Sequence, residues 1–325
     1  MLKEVSIEII RKCPNHCLHC SSSSDEDCPE ILDYDRFVRL IKDAHSLGAD
    51  TVCLSGGEPF LHASISDMIE FVASLGMQTY VYTSGITYDE HNCKASISKA
   101  VLGAISPSVT KLIFNIEAAT SKTYDEIMGT TDCFDKMKQS VRDALANNII
   151  VEAHFVPMKV NTGELAAVVR LCNDLGISKL SFLRLVLHGR AKLNASRLAL
   201  SAESLEKIKT QIGLLTGQQE LAIRIGVPLT MDYSCHRCEA AKGKLNIKYD
   251  GNVFPCEVFK NIQMEQGLDS LKVANIYEST LYDIYRDSNY LSRIRELSNE
   301  YSPTDYHETC LGQYLLANGG LVDGK

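Results

Sequence analysis

The sequence predicts an α/β protein: a parallel sheet wound with crossover helices over residues 1–226, then a small C-terminal domain over residues 227–325 built on a β-hairpin plus a helix. Three observations predict it. Strand-like and helix-like apolar periods alternate six times without a long insertion, the pattern of a sheet with helical crossovers. After about Gly226 that alternation stops. No run of about 18 apolar residues occurs, so no membrane-spanning helix is expected.

Val5–Ile10 is a short β-branched run and reads as the first strand. Phe37, Leu40, Ile41 and Ala44 recur at helical spacing within Asp33–Leu47, and Gly48 ends that helix. Thr51–Leu54 is a buried strand; Ile65, Met68, Ile69, Val72 and Leu75 mark the helix after it. Met77–Tyr82 is the third strand, with a helix near Glu90–Ile105. Lys111–Ile116 precedes the helix of Phe134, Met137, Val141 and Leu145. Ile149–Val156 precedes the helix of Leu165, Val168, Val169, Cys172 and Leu175. Lys179–Leu185 and the helix Ser201–Leu215 complete the alternation. Beyond it, Lys244–Pro255 reads as a hairpin turning at Asp250-Gly251, and Thr280–Leu297 as one helix. Such a sheet is either open or closed into a barrel, and in both its chemistry belongs at the carboxyl ends of the strands.

The chain has 325 residues, a formal net charge of −8 and 45% hydrophobic residues. An acidic chain has no general attraction for nucleic acid or anionic lipid, so neither partner is expected. The charged start, MLKEVSIEIIRKC, lacks a signal peptide's apolar core, and a cytoplasmic location is expected. The outlying number is 12 cysteines, which in a reducing compartment suggest metal ligands more than disulfides.

The first strand runs into Cys13-Pro14-Asn15-His16-Cys17-Leu18-His19-Cys20, a C-x3-C-x2-C spacing. Zinc would take a fourth ligand such as His16 or His19; a [4Fe–4S] cluster held by three thiolates keeps one iron open to a ligand. Spacing alone leaves both open. The second strand ends in Ser55-Gly56-Gly57-Glu58-Pro59, where two glycines permit close backbone approach and Glu58 adds a negative charge suited to an ammonium group. Neighbouring parallel strands place both loops on one rim.

With these two motifs the chain resembles the radical S-adenosylmethionine (SAM) enzymes, whose C-x3-C-x-Φ-C motif is matched by Cys13, Cys17 and Cys20, with His19 in place of the usual aromatic residue. The resemblance implies a partial (β/α)6 barrel, a [4Fe–4S] cluster on those three cysteines, and SAM on the fourth iron. It also implies reductive cleavage of SAM to methionine and a 5′-deoxyadenosyl radical that takes a hydrogen atom from the substrate. Carried over position by position, Gly56, Gly57 and Glu58 would hold the SAM amino group, with Ser84, Glu117, Asn161 and Arg184 as further SAM contacts. A polar residue at a strand end is also a common helix cap or turn former.

In the last hundred residues Cys235-His236-Arg237-Cys238 precedes the hairpin, Cys256 follows it and Cys310 lies further on. Four sulfurs fit zinc or iron–sulfur. Cys238 and Gly251 are separated by 12 residues and Cys256 stands after four more, which resembles the C-x(9–15)-G-x4-C hairpin of the twitch/SPASM extensions. That resemblance implies one auxiliary [4Fe–4S] cluster on Cys235, Cys238, Cys256 and Cys310, serving electron transfer or substrate binding, with a flavodoxin- or ferredoxin-type electron donor. Cys53 and Cys172 read as core residues.

Candidates for the catalytic residues are His154, His188, Tyr233 and Cys28; Tyr82 could also relay a proton or hydrogen atom. Arg184, His188 and Arg190 suggest a basic rim for an anionic group. This favours a small metabolite (a sugar, nucleoside or amino-acid derivative) over the competing substrate, a ribosomally made peptide. The chain opens directly on its first strand without a leader-recognition segment, which points the same way. A non-catalytic iron–sulfur or zinc protein is the alternative of a different class.

Overall fold

The computed structural model describes residues 1–216, 221–226, 229, 237–261, 271–305 and 310–318. Its strands are β1 (Glu4–Ile10), β2 (Thr51–Gly56), β3 (Gln78–Thr83), β4 (Ile86–Tyr88), β5 (Lys94–Ser96), β6 (Lys111–Asn115), β7 (Ile150–Phe155), β8 (Lys179–Phe182), β9 (Ala222–Ile225), β10 (Lys244–Ile247) and β11 (Val253–Phe254). Nine form one sheet in the order β11-β10-β1-β2-β3-β6-β7-β8-β9. All its neighbours are parallel except the β10–β11 hairpin.

Three elements differ from the sequence reading. The expected helix near Glu90–Ile105 is a β4–β5 hairpin followed by a short helix, Lys99–Ile105. The expected helix Thr280–Leu297 is two, Leu281–Asp287 and Asn289–Glu300, because Ser288 ends the first and its side chain caps the second by accepting from the Leu291 N–H. A further parallel strand, β9, extends the sheet beyond the six expected. The C-terminal hairpin is no separate layer: β10 pairs in parallel with β1, so it continues the sheet from its opposite edge.

Period-two alternation gives this sheet two unlike faces. Val5, Ile7 and Ile9 of β1, Val52 and Leu54 of β2, Leu112 and Phe114 of β6, and Val151 and Phe155 of β7 are buried in the apolar core. Helices cover that face. Helix Tyr34–Ser46 buries Phe37, Leu40, Ile41 and Ala44, and Asp33 caps it by accepting from the Arg36 N–H. Each such large apolar side chain contributes about 1.5–3 kcal/mol on burial.

The other face is polar. One row carries Ser6, Cys53, Tyr80, Lys111 and Ile150 in register; the next carries Glu8 and Ser55 on β1 and β2 and Tyr82, Ile113, Glu152 and Lys179 across β3, β6, β7 and β8. Asn115, His154 and Ser181 form the next row toward the carboxyl ends. Lys111 and Lys179 pair with Glu152 at 2.9 and 3.4 Å, and the Lys111 ammonium sits 4.0 Å from the centre of the Tyr80 ring. Several of these groups are buried, Ser6, Glu8, Cys53, Ile113, Glu152 and Ser181 among them, and the buried carboxylates are paired.

Gly251 shows why the hairpin needs glycine. Its φ is +83°, and a Cβ there would lie 2.4 Å from the Tyr277 ring. Among the described residues no helix is long and apolar enough to cross a membrane.

Candidate active site

The three amino-terminal cysteines lie on the loop that leaves β1. Cys13 is buried and Cys17 and Cys20 are half-buried, all three as free thiols. Two segments clamp this loop. The His16 and Leu18 N–H groups donate to the Met128 and Ile127 carbonyls at 3.1 and 2.8 Å. Arg190 reaches in from the segment after β8, donating from Nε to the Cys17 carbonyl at 2.8 Å and from Nη2 to the Ser24 carbonyl at 2.7 Å. Arg190 is itself buried.

Burial and the charge of neighbouring thiolates push the Cys13 and Cys17 thiols well above their ordinary range. A bound cation reverses that balance. Among the described residues no three His, Cys, Asp or Glu side chains are gathered as a single metal ion would gather them. The thiols-only donor set on a clamped, half-buried loop fits a [4Fe–4S] cluster.

The glycine pair of the second loop serves the chain itself. The Gly57 N–H donates to the Ile10 carbonyl at 2.7 Å and the Glu58 N–H to the Lys12 carbonyl at 2.9 Å. A Cβ at Gly56 or Gly57 would lie 2.1 Å from the Ile10 or Lys12 carbonyl oxygen. These glycines therefore let β2's end lie against the entry to the cysteine loop. The Glu58 carboxylate, fully buried, accepts from Thr83 Oγ1 at 2.7 Å, Ser84 N at 2.9 Å, Ser84 Oγ at 2.7 Å and Phe60 N at 3.3 Å. Instead of standing ready for an ammonium group, it holds the loop after β3.

Other expected SAM contacts are also engaged internally. The Ser84 hydroxyl is spent on Glu58. The Asn161 amide is saturated: Oδ1 accepts from the Met158 N–H, and Nδ2 donates to the Glu117 and Val156 carbonyls. Asn161 thus fastens the loop after β7 to the segment after β6. Glu117 accepts from the Val156 N–H at 2.9 Å and faces His19 Nε2 at 3.4 Å. Burial raises Glu117 to about 8 and lowers His19 to about 4. At neutral pH the pair is a carboxylic acid beside a neutral imidazole, not an ion pair. It brings the odd residue of the cysteine motif onto the end of β6.

A folded-state value above the unfolded one means that Glu117 contributes stability below about pH 4.5, lost as pH rises through about 8. Thermal unfolding followed from pH 5 to 9 should show a loss on the order of 4 kcal/mol that Glu117→Gln removes. An identical slope in the variant would refute the assignment.

The basic rim does not form. Arg184 directs Nη2 to Cys310 Sγ at 2.7 Å, His188 Nε2 meets the Val258 carbonyl at 3.1 Å, and Arg190 is buried under the cysteine loop. Arg184 thus contacts the second cysteine group. The Cys28 thiol donates to Asp25 Oδ1 at 3.1 Å. Tyr233 and Cys235 lie outside the described residues.

His154, a further catalytic candidate, is half-buried. It stands near the carboxyl end of β7 on the polar face, its ring 5.4 Å from that of Tyr82. Burial and the Arg224 charge lower it to about 4, so it is a neutral imidazole at pH 7.

Cys238, Cys256 and Cys310 are half-buried, and burial raises the Cys238 and Cys256 thiols. The sequence reading missed how closely this group is tied to the first. Lys260, four residues past Cys256, donates to Glu8 Oε1 on β1 at 2.7 Å and to Ser22 Oγ, two residues past Cys20, at 2.8 Å. A charged residue at an alternating position of an apolar strand, as Glu8 is, was the available signal.

Comparison with known proteins places these features in families. The model of the radical SAM superfamily matches residues 7–187, and that of SPASM, an iron–sulfur cluster-binding domain, matches residues 238–311. An AdoMet-dependent heme synthase of Oleidesulfovibrio alaskensis is 21% identical over 99% of this chain and 84% of its own. A PqqA peptide cyclase of Methylocella silvestris is 24% identical over 86% and 72%. Among solved structures, Streptococcus suis SuiB bound to S-adenosylmethionine superposes with a TM-score of 0.73 at 17% identity, over 91% of this chain and 68% of that one. SuiB bound to precursor peptide SuiA gives 0.72 at 16% identity, over 91% and 67%.

Proposed function

Because this chain belongs to the radical SAM superfamily and carries an iron–sulfur-binding SPASM domain, we propose that it oxidatively modifies a ribosomally made peptide, using Cys13, Cys17 and Cys20 for the SAM-binding cluster and Cys238, Cys256 and Cys310, with Cys235, for an auxiliary one. Its cofactors are a [4Fe–4S] cluster, SAM and auxiliary iron–sulfur. When bound, the reduced cluster supplies the electron that splits SAM into methionine and the 5′-deoxyadenosyl radical.

The observation that carries the reading is the direct contact between the segments flanking the two cysteine groups, Lys260 to Ser22. It supports a route for an electron leaving a substrate radical. The peptide is favoured over a small anionic metabolite because the expected basic rim is consumed by internal contacts. The likeness to a PqqA peptide cyclase supports the same choice.

The chain's residues divide the work. Glu58, Asn161 and Arg190 hold the loops that border SAM. Gly56, Gly57 and the His19–Glu117 pair would border it. His154, a neutral imidazole near the carboxyl end of β7, would accept the proton that a substrate loses as its radical is oxidised. The electron that primes each cycle comes from a flavodoxin- or ferredoxin-type donor.

The test is anaerobic. Reduced, reconstituted protein should form 5′-deoxyadenosine, and peptides encoded by short reading frames beside its gene should accelerate this and lose hydrogen by mass spectrometry. Peptides left unchanged while a tetrapyrrole is turned over would transfer the reading to the chemistry named for the heme synthase relative.

A further inference from the structure

Lys260 and Glu8 form an ion pair with side-chain exposures of 7% and 4%. Neither belongs to a cysteine motif. A buried ion pair is weak evidence for stability, since desolvation offsets most of the attraction, so its placement asks for another explanation.

The placement is specific. Glu8 is on β1, the strand that delivers the first cysteine loop. Its Oε1 accepts from Lys260 Nζ at 2.7 Å and from Ser22 Oγ at 2.9 Å, while Lys260 Nζ also reaches Ser22 Oγ at 2.8 Å. The three groups close a triangle. Lys260 sits on the single 3-10 turn Phe259–Asn261, whose first N–H donates to the Cys256 carbonyl at 3.0 Å. Phe259 beside it is fully buried. The Lys260 end is therefore rigid relative to Cys256, and the Ser22 end is two residues from Cys20. Burial opposes the charge on Glu8, but the Lys260 ammonium and the two hydrogen bonds hold its carboxyl below the usual range.

We infer that the Glu8–Lys260 pair is a positioning device, fixing the auxiliary-cluster turn against the SAM-cluster loop and thereby setting the electronic coupling between the two centres. This rests on the reading that both cysteine groups carry clusters. Electron exchange and spin–spin interaction both fall steeply with separation, the dipolar part of the latter as its inverse cube. A link that locks the two loops together controls both without touching iron or substrate.

The experiment uses reconstituted, fully reduced holoprotein and reads iron content, the spectrum of each cluster and the magnetic interaction between them by electron paramagnetic resonance. Lys260→Met alone strands the Glu8 charge and can cost folding. The informative variant is Glu8→Gln/Lys260→Met, which removes both charges at similar volume. It should keep about eight irons and both individual cluster signals, yet lose half or more of the interaction. Lys260→Arg, which preserves the charge and the reach, should retain it. An unchanged interaction in the double variant would overturn the inference. Loss of one cluster's iron in the double variant would also overturn it, reducing the pair to a structural part. Wild-type protein without auxiliary iron would sink the underlying two-cluster reading, a result distinguishable from either.

Discussion

Cys17→Ala and Cys20→Ala are each expected to abolish SAM cleavage while leaving auxiliary iron in place. Both side chains are half-buried on a loop whose shape is set by Arg190, Ile127 and Met128, so the fold survives their removal. The cluster does not, because two thiolates cannot hold a cubane that leaves one iron for SAM. Iron should fall from about eight to about four per chain, and 5′-deoxyadenosine should drop below detection. The control is Cys172→Ala. That thiol is fully buried on an apolar helix face, and burial alone raises it to about 12, which marks an inert core group. Its loss should leave iron and cleavage unchanged. Normal cleavage by Cys17→Ala would remove the cysteine loop from the chemistry altogether.

Glu58→Ala should be the most destabilising single substitution in the second loop. The carboxylate is fully buried and accepts from four donors, and burial outweighs those donors in holding its pKa above the usual range. Alanine leaves Thr83, Ser84 and Phe60 donors buried and unpaired, at a cost of roughly 3–5 kcal/mol. A protein of this size then melts roughly 4–7 °C lower. Glu58→Gln should fall between. Its single carbonyl oxygen can serve Thr83 and Phe60, but its NH2 would confront the donors of Ser84. A melting temperature within about 2 °C of wild type for Glu58→Ala would show that the loop after β3 does not depend on this carboxylate.

Part of the fold was written locally. The helix Tyr34–Ser46 could be read from Phe37, Leu40, Ile41 and Ala44 because a helix that buries one face must repeat its apolar residues every three to four positions. The β10–β11 hairpin could be read from Asp250-Gly251 for a similarly local reason. The β4–β5 hairpin was misread because its three-residue strands are too short to establish a period. The break at Ser288 was missed because the apolar spacing continues across it.

The candidate site divides the same way. Cys13, Cys17, Cys20, Cys238 and Cys256 were legible since each group lies within a short span or flanks one turn. Arg184, Ser84, Asn161 and Arg190 stood where ligand contacts were expected, but a strand-end position cannot say which partner a polar side chain finds. Their partners come from segments up to 173 residues away, as Arg190 and Cys17 show.

By itself the sequence determined the alternation of strands and helices, the two cysteine groups and the glycines that let loops lie close. These depend on period, spacing and backbone freedom, which neighbouring residues fix. Only the tertiary structure decided that Glu58 braces a loop, that the basic segment after β8 is spent internally, and that Lys260 joins the surroundings of both cysteine groups. Hydrogen bonds and buried charges are satisfied by whatever the fold brings within about 3 Å, and distance along the chain carries no record of that.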